Sequence, residues 1–387
     1  MIVERNICEE CRGIKFLCGL KYCPIYGNLS PIPKLVKEMD GITPPDIFVG
    51  RFNYPKVHVG AILTRNEISG DLYPLPLEKI LERTSSMYRV GNVQRVDRES
   101  KIVENIREIS LSEIKLKLSA NVESIENKIY MDKISTPLGP RVMARNIEIE
   151  ENPKIPKRIE IITEDFDMNA QDALWELYSN GFGNDYLKRL LSAGVLGRKI
   201  DRKLVPTRWA ITAVDDIVGK KLIERVREYE SVDTSIYAEK SYMDNQFFIF
   251  LIPGTWMFEM VENWHGFNGK IMNIMESGDY EGYYGRKTYA SHVTGAYYAA
   301  RLAVLEYLES IKRSASVIIY RIVGPNYRIP LGVWVIRETV RDALRNVSYL
   351  GIKNLRDVDV QDYIKNVILS TRVYRFLEKQ KRIEAYG

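Results

Sequence analysis

Gln246-Phe-Phe-Ile-Phe-Leu-Ile-Pro-Gly-Thr-Trp-Met-Phe-Glu-Met-Val261 is among the richest apolar stretches of this 387-residue chain. Gln246–Ile252 and Thr255–Val261 have the composition of buried strands, and Pro253-Gly254 between them reads as the turn of a hairpin. Downstream, Ala296, Ala300, Ala303, Val304, Tyr307, Leu308 and Ile311 trace one face of a long helix. A strand over Val317–Val323 and a helix over about Val333–Leu344 follow. Helix and strand alternate without the strict order of a doubly wound fold, so the expected class is α+β.

Upstream the same reading predicts short strands at Ile47–Gly50 and Val57–Thr64, with Arg51, Asn53, Tyr54 and Pro55 between them. Helices are expected at Lys34–Met39, Leu77–Met87 and Ile102–Ser119, the last with a break in its apolar face near Ser110. Strands are expected at Val122–Met131, Val142–Glu150 and Ile155–Thr163. A further helix follows from Ala170, Ala173, Leu174, Leu177 and Tyr178, with Asp167 or Asn169 as N-cap and Gly181 as a stop. The chain is too long for one small core, so the expected organisation is an N-terminal element at 1–41, a mixed body at 42–370 with a subdomain division near 150–165, and a C-terminal helix end and tail at 371–387.

Every cysteine of the chain falls within sixteen residues, as Cys8-x2-Cys11-x6-Cys18-x4-Cys23. The short first pair lets two thiolates chelate one ion from a tight turn, and the second pair completes a tetrahedral four-sulfur shell, which suits zinc. Gly13 and Gly19 supply backbone freedom around it. An iron–sulfur cluster uses the same donors at spacings that this one resembles poorly, and unrelated thiols are the remaining alternative. Four closed ligands leave no position for a reactive water, so a zinc here is structural.

Lysine and arginine number 56 against 51 acidic residues, a formal charge of +5 that does not by itself announce a nucleic-acid protein. Local clustering matters more. Arg198, Lys199, Arg202, Lys203 and Arg208 lie within eleven positions, with Asp201 the one acidic residue among them, and read either as a phosphate-contacting strip or as a solvated face. Arg208-Trp209 adds a guanidinium fork to a flat stacking face. His292 closes the tract Tyr283-Tyr-Gly-Arg-Lys-Thr-Tyr-Ala-Ser-His292, where Tyr284 and Arg286 are candidates to stack bases and neutralise phosphate; a helix-entry loop packed on the core has the same composition. Glu164, Asp165 and Asp167 fit helix capping better than a divalent ion. Dinucleotide-binding, P-loop, zinc-protease and EF-hand signatures are absent, and Arg208, Asp215 and His292 are the weak catalytic candidates that remain. No stretch is long and apolar enough to span a membrane, and the N-terminus lacks a secretory pattern, so export is not expected.

Four ordered stretches carry a resemblance. The cysteine motif with Leu17-Cys-Gly and Cys23-Pro, Leu191-Ser-Ala-Gly-Val-Leu-Gly197, Val205-Pro-Thr-Arg-Trp-Ala-Ile-Thr-Ala-Val-Asp215, and Pro330-Leu-Gly-Val-Trp334 with Arg337-Glu338 resemble the archaeal Nre DNA-repair proteins over nearly the whole chain. The resemblance implies a cytoplasmic protein involved in repairing DNA damage, with a C-terminal motif for the sliding clamp, PCNA. It supplies no catalytic residues. The chain ends Gln380-Lys-Arg-Ile383-Glu-Ala-Tyr386-Gly387, which keeps the glutamine, the aliphatic residue and the first aromatic of a clamp-binding box and has Gly387 in place of the second aromatic. The expected function is therefore a zinc-containing repair protein that binds damaged or single-stranded DNA and is recruited by the clamp. An enzyme acting on a nucleobase or nucleotide, and a noncatalytic adaptor between clamp and repair factors, are the alternatives.

Overall fold

The computed structural model describes residues 36–65, 67, 70–126, 129–264, 278–327, 329–349, 355 and 359–384, with side chains through Gln380. The four cysteines and His265 lie outside the described residues. Two compact units emerge, one ending at Ile217 and including Ile329–Gly332, the other built from Val218 onward. Residues 150–165 lie within the first unit, and the division falls inside a helix.

The first unit is built on a six-stranded mixed sheet of order β1-β5-β6-β4-β3-β2. Its strands are β1 (Glu38–Thr43), β2 (Ile47–Val49), β3 (Lys56–Leu63), β4 (Tyr88–Arg95), β5 (Leu116–Glu126) and β6 (Arg141–Ile149). Only β4 and β6 run parallel; the other pairs are antiparallel. Helices α1 (Leu77–Ser85), α2 (Lys101–Leu111), α3 (Lys157–Glu164), α4 (Ala170–Ser179), α5 (Asn184–Ala193) and α6 (Thr207–Val226) complete it, the last running on into the second unit. Helix α2 packs on β3, β6 and α5, burying Ile102, Val103, Ile106 and Ile109.

Three expectations fail here for identifiable reasons. Glu38–Thr43 is strand and not the end of a helix, because its backbone pairs with β5 in full register, so the sheet begins before Gly41. The helix expected through Ser119 ends at Leu111, where extended Ser112 stops it, and β5 starts at Leu116. Ile155–Thr163 is helical from Lys157: Pro156 sits at the N-cap, and only Ile159 and Ile162, three positions apart, are buried, a spacing that a strand does not produce. The Asn169 cap holds, its side chain accepting the Asp172 amide at 3.0 Å.

The second unit carries a six-stranded mixed sheet of order β10-β9-β11-β8-β7-β12. Its strands are β7 (Ile236–Tyr242), β8 (Asn245–Ile252), β9 (Met257–Trp264), β10 (Gly278–Glu281), β11 (Ser316–Val323) and β12 (Ser348–Tyr349). Strands β8 and β9 are the two apolar runs of the opening stretch, yet they do not form a hairpin. β11 lies between them, antiparallel to β8 and parallel to β9. All eight residues of β11 are buried, and such a strand needs a neighbour on each edge and cover on each face. Gly254 marks the crossing, since a Cβ there would approach Ser316 Oγ to 2.8 Å, and Ser316 donates to the Thr255 carbonyl at 2.7 Å.

Helices α7 (Gly295–Ile311) and α8 (Trp334–Ala343) pack on each other, and Tyr297 of α7 meets Phe258 of β9 edge-on. Helices α9 (Asp362–Ser370) and α10 (Arg372–Glu384) pack on β9 and β11. There Phe250, Ile252, Met257, Val261, Ile318, Tyr320 and Ile322 meet Ile364, Ile368, Val373, Tyr374 and Leu377. Each such side chain contributes roughly 1.5–3 kcal/mol on burial, which makes the C-terminal helix pair a structural layer of the sheet. Glu259 accepts the Val373 amide at 2.9 Å and so caps the start of α10; burial pushes its carboxyl above the usual range. Arg301 and Glu281 form a 2.8 Å ion pair with no solvent exposure, and Trp256 Nε1 donates to the same carboxylate at 3.3 Å.

Candidate nucleic-acid interface

Thr207 begins α6, and its hydroxyl accepts the Val49 amide at 2.9 Å across 158 residues of sequence. That bond draws the loop after β2 onto the first turn of α6. Phe52, Tyr54 and Trp209 are exposed rings, and the Tyr54 and Trp209 centroids lie 5.2 Å apart. The Arg51 guanidinium lies 4.7 Å over the Phe52 ring, and neither Arg51 nor Arg208 has an ion-pair partner among the described residues. Both cations act on Tyr130, whose phenol is pushed up by burial and by its hydrogen bond to Asp132, an effect that Arg51 and Arg208 oppose. Asp132 is itself fastened, accepting the Ile134 and Ser135 amides at 2.7 Å each. Beneath lies a packed floor of Phe48, Ile62 and Tyr130.

Trp209 is a sequence candidate that the fold exposes and Arg208 one that it leaves half-buried; Arg51, Phe52 and Tyr54 join them unannounced. The available signal was two aromatics and a cation in a short inter-strand connection. His58 is buried, its Nε2 lies 3.2 Å from the Arg89 carbonyl, and burial with nearby Arg89 and Arg141 pulls its pKa down to about 3. Asp215 is also buried and accepts Asn184 Nδ2 at 3.1 Å, tying α5 to α6 within the first unit.

The basic strip splits into unlike parts. Helix α5 ends at Gly194, which takes a left-handed φ of 67° and packs so closely on the Lys203 carbonyl that a Cβ would come within 2.3 Å. A short 3-10 turn over Lys199–Asp201 then carries exposed Arg198, Lys199 and Lys203. Arg198 pairs with Asp201 at 2.7 Å. Arg202 points inward: it donates to the carbonyls of Gly197, Thr163 and Asp165 at 2.7, 2.8 and 3.1 Å, and its guanidinium sits 4.7 Å over Phe166. Those bonds satisfy the C-terminal end of α3, so Arg202 is engaged as a clamp for backbone carbonyls.

In the second unit the tyrosine tract behaves likewise. Arg286 donates to Thr288 and Tyr289 carbonyls at 2.8 and 3.1 Å and to Asp279 at 3.1 Å, ordering the loop before α7. Asp279 also accepts the His292 and Val293 amides, at 3.0 and 2.7 Å. His292 remains exposed, with Nδ1 3.7 Å from Asp279. Tyr284 is 88% exposed and meets Tyr283 edge-on, both beside Arg227. At the C-terminus α10 continues through Gln380 to Glu384; Gln380 is exposed, while the Ile383 side chain and Tyr386 lie outside the described residues. No described helix is long and apolar enough to cross a membrane.

Comparison with known proteins matches residues 17–267 to the family described as Archaeal Nre, N-terminal, and residues 281–386 to Archaeal Nre, C-terminal. The chain belongs to the archaeal Nre family. Among curated Nre relatives, DNA repair protein NreA of Archaeoglobus fulgidus is 37% identical over 352 residues, covering 88% of each chain. DNA repair protein NreB of the same organism is 36% identical over 344 residues, 86% of this chain and 87% of its own. DNA repair protein NreA of Haloferax volcanii is 35% identical over 322 residues, 77% and 76% respectively. The Nre boundary between residues 267 and 281 falls within the second compact unit, after β9 and before the last residue of β10.

Proposed function

We propose that this Nre protein acts in DNA repair by holding single-stranded or damaged DNA on the Phe52, Tyr54 and Trp209 platform, with Arg51 and Arg208 taking phosphate. The observation that carries the reading is the exposed Tyr54–Trp209 ring pair, beside exposed Phe52 under Arg51, with Arg51 and Arg208 both reaching Tyr130 and neither having a carboxylate partner among the described residues. Exposed rings accept any base by stacking, and the arginines supply the salt-dependent attraction to the backbone. The names of the Nre relatives agree with a role in repair. Fluorescence anisotropy with a labelled single strand tests it: Trp209→Ala and Arg208→Ala should each weaken binding about tenfold, and Trp209→Phe should retain most of it. Wild-type affinity in the Arg208→Ala, Trp209→Ala double variant would remove the platform from the account.

The same reading includes two further parts. The four-thiolate donor set of Cys8, Cys11, Cys18 and Cys23, with no histidine or carboxylate in it, suits one closed structural zinc. Gln380, Ile383 and Tyr386 supply a clamp-binding box whose first part lies on the last turn of α10, which ends at Glu384, and whose spacing suits recruitment by PCNA.

A further inference from the structure

Ile200 is the most exposed large apolar side chain among the described residues, at 89%. A lone exposed isoleucine needs no explanation, but this one stands at the tip of a fastened turn. The Lys199 amide donates to the Phe166 carbonyl at 3.1 Å, and the Asp201 amide to Arg198 at 2.9 Å. Arg202 nails the base of the turn to three carbonyls, and the Gly194 contact holds Lys203 from below. Lys199 and Lys203 flank the tip, both exposed; the Lys199 ammonium lies 5.4 Å from the Phe166 ring. The arrangement is an apolar point on a fastened turn, with Lys199 before it and, after it, Asp201 neutralised by Arg198 at 2.7 Å and then Lys203.

We propose that Ile200 is a wedge that enters the base stack of duplex DNA where stacking is already weakened, with Lys199 and Lys203 on the phosphates to either side. The inference rests on the DNA reading above and adds a duplex-distortion sensor to it. A polyanion with an apolar interior complements this tip in both charge and polarity. Opening an intact step costs more than opening a mismatched one, so an inserting side chain turns local weakness into preference. The β-branched side chain has few rotamers to lose, and the fastened backbone has little ordering left to do.

The test uses the full chain and a short duplex with 2-aminopurine beside a single mismatch, compared with the matched duplex and with a single strand of the same sequence. Wild type should raise the fluorescence and prefer the mismatched duplex. Ile200→Ala should lose about tenfold of that preference, from the lost insertion of one side chain, while single-strand affinity stays unchanged, and Ile200→Met should restore the preference. Because the side chain is exposed, the alanine variant retains its fold, which its melting temperature checks. Mismatch preference equal to wild type in Ile200→Ala would overturn the wedge, as would equal losses on duplex and single strand. Ile200-dependent capture by anionic phospholipid vesicles, with duplex binding unaltered, would assign the tip to a membrane surface and overturn it too. Failure of the platform reads out separately, as single-strand binding that ignores Arg208 and Trp209.

Discussion

Replacing Arg202 with alanine separates a structural cation from a ligand-binding one. The guanidinium gives three hydrogen bonds to the carbonyls of Gly197, Thr163 and Asp165 and covers the Phe166 ring. Charged hydrogen bonds contribute roughly 1.5–3 kcal/mol each when lost singly, and the ring contact adds about 0.5–1 kcal/mol. These losses are not additive, because the site is only partly buried and water replaces part of the donor set. A net loss of about 2–3 kcal/mol follows, which for a unit of this size lowers the melting temperature by about 5–10 °C. Single-strand binding, measured at 25 °C across a salt series, should keep its slope, whereas loss of one phosphate contact would reduce that slope by about 0.7. Thermal unfolding followed by circular dichroism and anisotropy titrations at several salt concentrations give both numbers. A melting temperature within about 1 °C of wild type, together with a flattened slope, would refute the reasoning.

Three further outcomes are expected. His58 in the folded protein has a pKa near 3, below its unfolded value, so the fold binds protons less well than the open chain; its contribution is intact above about pH 6.5 and declines by roughly 1.4 kcal/mol per unit as pH falls toward 3. Denaturation of wild type and His58→Gln between about pH 4.5 and 7 should show a gap that changes with pH, and a constant gap would exclude this linkage. Elemental analysis should find about one zinc per chain, lost in Cys11→Ser, and iron with visible charge-transfer absorption would replace zinc by a cluster. Calorimetry with the cognate clamp should detect binding that disappears in Ile383→Ala, Tyr386→Ala and on deletion of Gln380–Gly387; full binding by either variant would end that assignment.

Much of this architecture is legible because period and burial coincide. Val142–Glu150 and Val317–Val323 are strands within a residue or so, and Asn169 caps the helix assigned to it. Where local chemistry and global pairing disagree, pairing wins: Pro253-Gly254 turns the chain, and the turn still leads to a strand with a different neighbour. At Ile155–Thr163 β-branched composition suggests a strand, but only two isoleucines meet the core. The interface divides in the same way. Arg208-Trp209 can be read from one segment, whereas Arg51, Phe52 and Tyr54 join it through a bond spanning 158 residues. Arg202 and Arg286 look like ligand-binding cations in one dimension because residue type does not show that backbone carbonyls, several of them only two to five residues away, occupy them.

The placement of β11 also governs the order in which the second unit is made. During synthesis β8 and β9 leave the ribosome early, each with an edge that stays unmatched until Ser316–Val323 has followed the whole of α7. Pairing across such separations is slow, and the waiting edges are apolar. A nascent chain stalled before Val323 therefore presents adhesive strand edges, on β8 and β9, whose shared native neighbour is still missing, and chaperone dependence of this protein should peak over that window of translation.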